Sequence, residues 1–174
     1  MIDQRVASFM KVSKARLAQD MLGAEQDTVS QICETPWFLE MYNQLELPKR
    51  ATTGSAGYDF HLPCKMAFEP GKAMTIPTGI RCKIADGWFL CVVPRSGLGF
   101  KYGLRLVNTV GVIDSDYFGA KNEGHIIIKM TCDQPFELNA GERFAQGILL
   151  PYGIAFRDYA LIAKREGGFG STSD

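Results

Sequence analysis

Residues 75–100 read TIPTGIRCKIADGWFLCVVPRSGLGF, and this stretch decides the fold class. Ile80, Cys82 and Ile84 alternate with Arg81 and Lys83. That is the period of two expected of a half-buried strand, whose successive side chains point to opposite faces. Trp88 to Val93 is an unbroken apolar run, ended by Pro94. Pro77-Thr78-Gly79 and Asp86-Gly87 punctuate the two runs as turns. Working outward, Ile126 to Ile128 and Phe144 to Leu150 are further apolar runs, the latter closed by Pro151. Pro70-Gly71 and Asn139-Ala140-Gly141 add turn signals. Many short strands at close spacing predict an all-β sandwich or barrel. Strands and helices do not alternate after Pro48, which argues against a doubly wound sheet.

The segment before Pro48 has another texture. Arg5 to Val12 reads as a short strand. Ser13 then reads as the N-cap of a helix with Ala15, Ala18 and Leu22 on one face. Thr35-Pro36 reads as a second helix start, a capping hydroxyl followed by proline where its missing N–H does no harm. Trp37, Met41 and Leu45 recur every four residues and are expected to form that helix's buried stripe, as core packing rather than a ligand box.

Composition sets the outer bounds. The 174 residues, against about 150 per domain, predict one domain or one with a small appendage. Hydrophobic residues are 46% and charged residues 22%, the balance of a folded chain. Lys plus Arg and Asp plus Glu are 19 each. Zero net charge removes the general attraction to nucleic acid, though not a local patch. No apolar run approaches the roughly 20 residues of a spanning helix. Met1-Ile2-Asp3-Gln4-Arg5 lacks a signal-peptide layout, so no membrane role is expected and a cytoplasmic location is. The five cysteines are odd in number and include no Cys-x-x-Cys pair. They are expected to be reduced, small core residues on strands. With only His61 and His125 present, a histidine-rich metal site is not expected.

Four segments carry chemistry. Val93-Pro94-Arg95-Ser96-Gly97-Leu98-Gly99-Phe100-Lys101 joins a guanidinium, a hydroxyl and two glycines at the end of a strand. It reads either as an anion site or as a strand-to-turn corner that carries Arg. It lacks the spacing of a P-loop. Residues 104–119, LRLVNTVGVIDSDYFG, read as a hairpin turning near Asn108–Gly111. Such a turn can offer backbone donors and acceptors to a flat polar ligand. Asp114 and Asp116 follow with Tyr117, fit for base chemistry and sugar stacking, or a polar loop with two solvated carboxylates. The C-terminal Lys164-Arg165-Glu166-Gly167-Gly168-Phe169-Gly170-Ser171-Thr172 reads as a lid or as a frayed end. Gln146, inside an apolar strand, needs a partner, whether a backbone group or a ligand.

Together these segments are more specific than any one of them. Gly54-Ser55-Ala56-Gly57-Tyr58-Asp59-Phe60, Pro94–Gly99, Asn108–Tyr117, Gly141–Gln146 and Gly167–Thr172 stand in the order of five motifs. In this the chain resembles the trimeric dUTP diphosphatase (dUTPase) family, from about Leu47 to Thr172. The resemblance implies a jelly-roll-type β-barrel and a homotrimer with active sites at subunit interfaces. It implies hydrolysis of dUTP to dUMP and pyrophosphate, with Mg²⁺ held by the triphosphate and water rather than by protein ligands. Asp114 would activate the attacking water. Tyr117 would pack under the deoxyribose. Asn108, Gly111 and Ile113 with the hairpin backbone would read uracil. Arg95, Ser96, Gly97 and Gln146 would hold phosphates, and Phe169 would stack on the base. Arg165, Ser171 and Thr172 would grip the γ-phosphate, with Lys164 at the place where the family usually has arginine. Asp59 would be structural or would support these residues. The domain reading is 1–46 as an N-terminal strand and helical insertion packed on the main domain, 47–163 as the β-barrel, and 164–174 as a flexible arm.

The run Phe118–His125 is longer than the family's usual turn, and His125 is expected there as a loop residue. Two rivals follow from the same residues. A dCTP deaminase of the same fold needs a glutamate in the strand His125–Met130, which has none; Glu123 lies just before it. A nucleotide-switched regulatory protein would use the helical insertion as its interface.

Overall fold

The computed structural model describes residues 5–23 and 25–158. Twelve strands dominate it. Strand β1 (Ala7–Lys11) pairs antiparallel with β6 (Ile80–Ile84), Ala7 opposite Ile84 and Lys11 opposite Ile80. Five strands form the largest sheet. They are β2 (Lys49–Arg50), β3 (Tyr58–His61), β12 (Arg143–Pro151), β7 (Trp88–Pro94) and β9 (Gly111–Ile113), in that order. A three-stranded sheet orders β5 (Met74–Pro77), β10 (Ile127–Thr131) and β8 (Arg105–Leu106), and β11 (Phe136–Leu138) pairs with β4 (Met66–Phe68). The β-rich expectation holds. The ladders among the described residues stay open and do not close into a barrel.

The sheets share one apolar core. Phe60, Phe68, Ile76, Leu90, Leu104, Ile126, Met130 and Phe144 are fully buried in it. The alternation read in β6 is reproduced: Ile80, Cys82 and Ile84 face the core. The cysteines are all unpaired. Cys82 and Cys132 are buried, but Cys33, Cys64 and Cys91 are only partly so. Cys33 moreover sits on a helix, which corrects the expectation that all lie on strands. Burial pushes the Cys82 thiol up to about 12, so its nucleophilic thiolate is scarce at neutral pH. Thiol counting with an aromatic disulfide at pH 8 should therefore find Cys82 silent until the protein is unfolded.

Three helices follow β1 and build a second small core. They are α1 (Lys14–Leu22), α2 (Gln26–Glu34) and α3 (Pro36–Gln44). Ser13 caps α1 as read: its hydroxyl accepts from the Arg16 N–H at 3.1 Å. The buried face, however, is Leu17 and Ala18, while Ala15 is exposed and Leu22 is 49% exposed. The larger Leu17 takes the centre of the contact and rotates the face by one residue. Helix α2 carries no long apolar stripe, only Val29 buried with Ile32 and Cys33 beside it, and so escaped notice.

Pro36 begins α3, but the Thr35 hydroxyl does not cap it. Instead it donates back to the Ile32 carbonyl at 2.7 Å, closing α2. The stripe of α3 is also shifted. Phe38 is fully buried and Leu45 nearly so, whereas Trp37 is 51% exposed, its ring edge-on to Phe38. Phe38, Tyr42 and Leu45 keep the i, i+4, i+7 spacing of one helix face.

The helical layer meets the sheets at Gly79. Its φ is +74°, and a Cβ there would lie 2.6 Å from Leu45 Cδ1 and 3.4 Å from Leu17 Cδ2. Its carbonyl accepts from the Val12 N–H at 2.9 Å. A Gly79→Ala variant should lose about 1–2 kcal/mol of stability from the left-handed backbone alone. Urea unfolding would measure it.

Candidate functional site

The chain between β8 and β9 makes the turn read from Asn108–Gly111, with a difference. The Thr109 N–H donates to the Leu106 carbonyl at 3.2 Å, and Val110 to Asn108 at 2.7 Å. The two arms do not pair with each other: β8 joins β10 and β9 joins β7. The turn therefore carries the chain from one sheet to another, and this corrects the simple hairpin. Thr109 has φ +67°, a left-handed residue that the tight reversal demands.

Under this turn lies a cavity of about 330 Å³. Asn108, Gly111, Ile113 and Tyr117 all line it, with Val92, Leu106, Ile126 and Ile128 as an apolar floor. Strand β9 is outermost in its sheet. Half of its backbone N–H and C=O groups thus point away from β7 and can meet a ligand edge. Gly111 permits the close packing, since a Cβ there would stand 3.0 Å from Val92 Cβ. A 3₁₀ turn, Ser115–Gly119, follows directly, with Asp114 as its extended N-cap. Asp114 is partly exposed and next in sequence to Ile113 of the cavity wall. Tyr117 is 4% exposed; its phenol donates to the His125 carbonyl at 2.8 Å and accepts from Asn122 Nδ2 at 2.7 Å.

A second cavity, about 440 Å³, is lined by Arg95, Gly97 and Arg143 together with His61 and Glu142. It lies where β7 gives way to α4 (Ser96–Tyr102), whose N-cap is Arg95. The expected corner is therefore a helix start, with Ser96 and Gly97 exposed in its first turn. Amides there have no acceptor inside the helix.

Asp59, on β3, ties this region together. It is 7% exposed, and its carboxylate meets Arg95 Nε at 3.2 Å and Arg143 at 3.1 Å. Gln146, opposite Asp59 in the ladder, donates to the Pro94 carbonyl at 3.4 Å. Its amide lies over Gly57, where a Cβ would stand 2.3 Å from Gln146 Oε1. That close approach is a reason for glycine in the first motif.

Two residues of this cavity were not singled out from sequence. Arg143 heads β12 three residues before Gln146. His61 shares a strand face with Asp59 by the period of two and pairs with Arg143. Burial holds His61 below the ordinary imidazole value, against the opposing pull of Glu46. Its Nδ1 is buried without a hydrogen-bond partner among the described residues.

The predicted residues thus fall into two groups. Asn108, Gly111, Ile113 and Tyr117 share the first cavity, and Arg95 and Gly97 share the second, with Ser96, Gln146 and Asp59 beside it. Among the described residues these two groups do not share a single pocket. Lys164, Arg165, Phe169, Ser171 and Thr172 lie outside the described residues. No group of three or more His, Cys, Asp or Glu among the described residues could hold a metal ion. No described helix is long and apolar enough to cross a membrane.

A β-rich fold with an apolar cavity at a strand edge and a separate arginine cluster defines the class of site. The dUTPase family model matches residues 43–173, and the chain belongs to this family. It is 40% identical over 132 residues to the deoxyuridine 5′-triphosphate nucleotidohydrolase of Lactococcus lactis subsp. lactis, covering 74% of this chain and 88% of that relative. A crystal structure of dUTPase from Streptococcus mutans matches with a TM-score of 0.57 at 40% identity, covering 63% of this chain and 88% of that one. A dUTPase from phage phi11 of S. aureus matches with a TM-score of 0.59 over 90% of this chain and 96% of that one. At 16% identity that likeness concerns the fold alone.

Proposed function

We propose that the protein hydrolyses dUTP to dUMP and pyrophosphate, taking the nucleotide as its Mg²⁺ complex. The single observation that carries this reading is the first cavity. It gathers Asn108, Gly111, Ile113 and Tyr117 beneath a strand edge that is outermost among the described residues. Family membership, and 40% identity to a relative named for dUTP hydrolysis, support it.

Uracil presents acceptor, donor and acceptor along one edge. The free groups of β9 and Asn108 can complement that order, whereas cytosine would leave buried polar groups unpaired. Tyr117, tied down at its phenol, gives the deoxyribose a rigid face with no room for a 2′-hydroxyl. Asp114 accepts a proton from the water that attacks the α-phosphorus. Arg95 and Arg143, oriented by Asp59, take phosphate oxygens with Ser96, Gly97 and Gln146. The Mg²⁺ belongs to the substrate, neutralising its charge and fixing its conformation. The arm at 164–174 closes over the nucleotide, Phe169 on the base and Arg165, Ser171 and Thr172 at the γ-phosphate.

The body at 47–163 takes a jelly-roll arrangement in this reading, and residues 1–46 pack on it as an insertion. The active form is a homotrimer. Two observations support it: the two cavities are separate in one chain, and Val107, Val110, Val112, Phe100, Ile154 and Phe156 are exposed apolar groups that a subunit contact would cover. The deaminase rival finds no support in Glu123, which is engaged by Ser13 at the cap of α1.

Pyrophosphate release with dUTP, dCTP, dTTP and UTP in Mg²⁺ tests the assignment. Release from dUTP alone is expected. Binding of dUTP without release would instead favour the regulatory rival, and deamination of dCTP the other. Sedimentation should give a particle of three times 19.3 kDa.

A further inference from the structure

Two features set this chain apart from the motif pattern: the helices before residue 46 and the long run after Tyr117. In the folded protein each is the other's partner. Glu123 accepts from the Ser13 N–H at 2.8 Å and from its hydroxyl at 2.6 Å, at the cap of α1. Two residues on, His125 lies in the loop before β10, as read, but it is 0% exposed. Its Nε2 accepts from the Gly79 N–H at 2.8 Å, and its Nδ1 meets Asp20 of α1 at 2.6 Å.

A backbone amide can only donate, so Nε2 must be the bare nitrogen. The imidazole proton then sits on Nδ1 and is given to the Asp20 carboxylate. Asp20 itself is held by Arg16 at 3.2 Å. The same His125 supplies the carbonyl that accepts the Tyr117 phenol, and Asn122 bridges both. Gly124 lets the run fold this tightly: at φ +68°, a Cβ would lie 2.7 Å from the Tyr117 carbonyl oxygen.

We propose that His125, clamped between Gly79 and Asp20, is a positioning residue that fixes the Tyr117 ring for sugar discrimination, so that the N-terminal helical layer sets substrate specificity. The proposal rests on the reading of Tyr117 as the deoxyribose platform. The buried phenol donates to the His125 carbonyl, so a shift of that carbonyl tilts the ring. The carbonyl belongs to a residue whose ring is fixed at both nitrogens, one to a sheet turn and one to α1. The Ser13–Glu123 contact pins the same run at a second point. Burial raises the Glu123 carboxyl, but the Ser13 hydrogen bonds and the charges of Arg81 and Arg16 outweigh it and leave it below its ordinary value. This anchor is therefore intact above the carboxylate's unfolded value and is released as pH falls through the folded one.

The test compares Asp20→Ala, Asp20→Asn and Tyr117→Phe in the full chain. The readouts are kcat and KM for dUTP and UTP, the affinities for dUMP and UMP, and imidazole nitrogen chemical shifts. Asp20→Ala should cut the dUTP-over-UTP preference about tenfold, as a misplaced contact does. Asp20→Asn keeps an oxygen acceptor for Nδ1–H and should restore most of the preference. Tyr117→Phe should show the same loss, and adding Asp20→Ala to it should cost little more. The wild type should show Nδ1 protonated and Nε2 bare. A lower Tm in Asp20→Ala with the sugar preference unchanged would overturn the proposal, as would a protonated Nε2 in the wild type. A wild type that turns over no dUTP would sink the hydrolase reading instead. The dUMP-to-UMP ratio and the nitrogen shifts would still decide the role of His125.

Discussion

An Asp114→Asn variant is expected to lose about a thousandfold in dUTP turnover while still binding the Mg²⁺ nucleotide. The substitution is nearly isosteric and spares the backbone, because Asp114 sits in extended conformation with no side-chain cap bond to its 3₁₀ turn. An amide can still orient a water but cannot take its proton. Asp116 is two residues further and exposed on the turn itself, not at the strand end beside Ile113. Single-turnover pyrophosphate release measures the loss. A variant rate within tenfold of the wild type would mean that the base is another group.

Replacing Asp59 by Ala should reduce kcat/KM for dUTP about a hundredfold through misplacement of two phosphate-binding groups. Its carboxylate is the shared acceptor for Arg95 and Arg143. Without it the two guanidinium groups repel each other and lose their common reference. The cost to stability should be smaller, about 2 kcal/mol for the lost charge-assisted hydrogen bonds, because both arginines are partly exposed and water can solvate them. Steady-state kinetics alongside thermal unfolding would separate the two effects. Full activity in this variant would remove Asp59 from the phosphate site.

How much of this was legible in the sequence depends on the range of the interaction that carries it. The strand alternation at Ile80, Cys82 and Ile84 is local, and the structure repeats it. The Ser13 cap spans three residues and was equally readable. The face of α1 and the stripe of α3 were not, because a nine-residue helix presents two nearly equivalent faces and the neighbour chooses between them. Leu17 rather than Ala15, and Phe38 rather than Trp37, are what the sheet turn at Gly79 and helix α2 leave room for.

The motifs led to the residues of the first cavity as a group, since Asn108 to Tyr117 is one continuous segment. Arg143 and His61 needed the register between β3 and β12, which no linear spacing reveals. The role of Asp59 needed the same register. The loop placement of His125 was legible, but its buried contacts were not, because its partners, Gly79 and Asp20, are 46 and 105 residues away.

The β1–β6 ladder has a consequence for assembly order. Residues 7–11 are made long before residues 80–84, their one ladder partner among the described residues. During synthesis the first strand waits without that partner while helices α1–α3 and strands β2–β6 emerge. Closing so long a loop is entropically slow, and it brings its reward only once the far strand is present. The helices between them are local structures and can form early, burying Leu17 and Phe38 in their shared small core. The docking of the N-terminal strand is thus expected among the late events of folding. A chain released before residue 84 would expose an apolar edge to its neighbours.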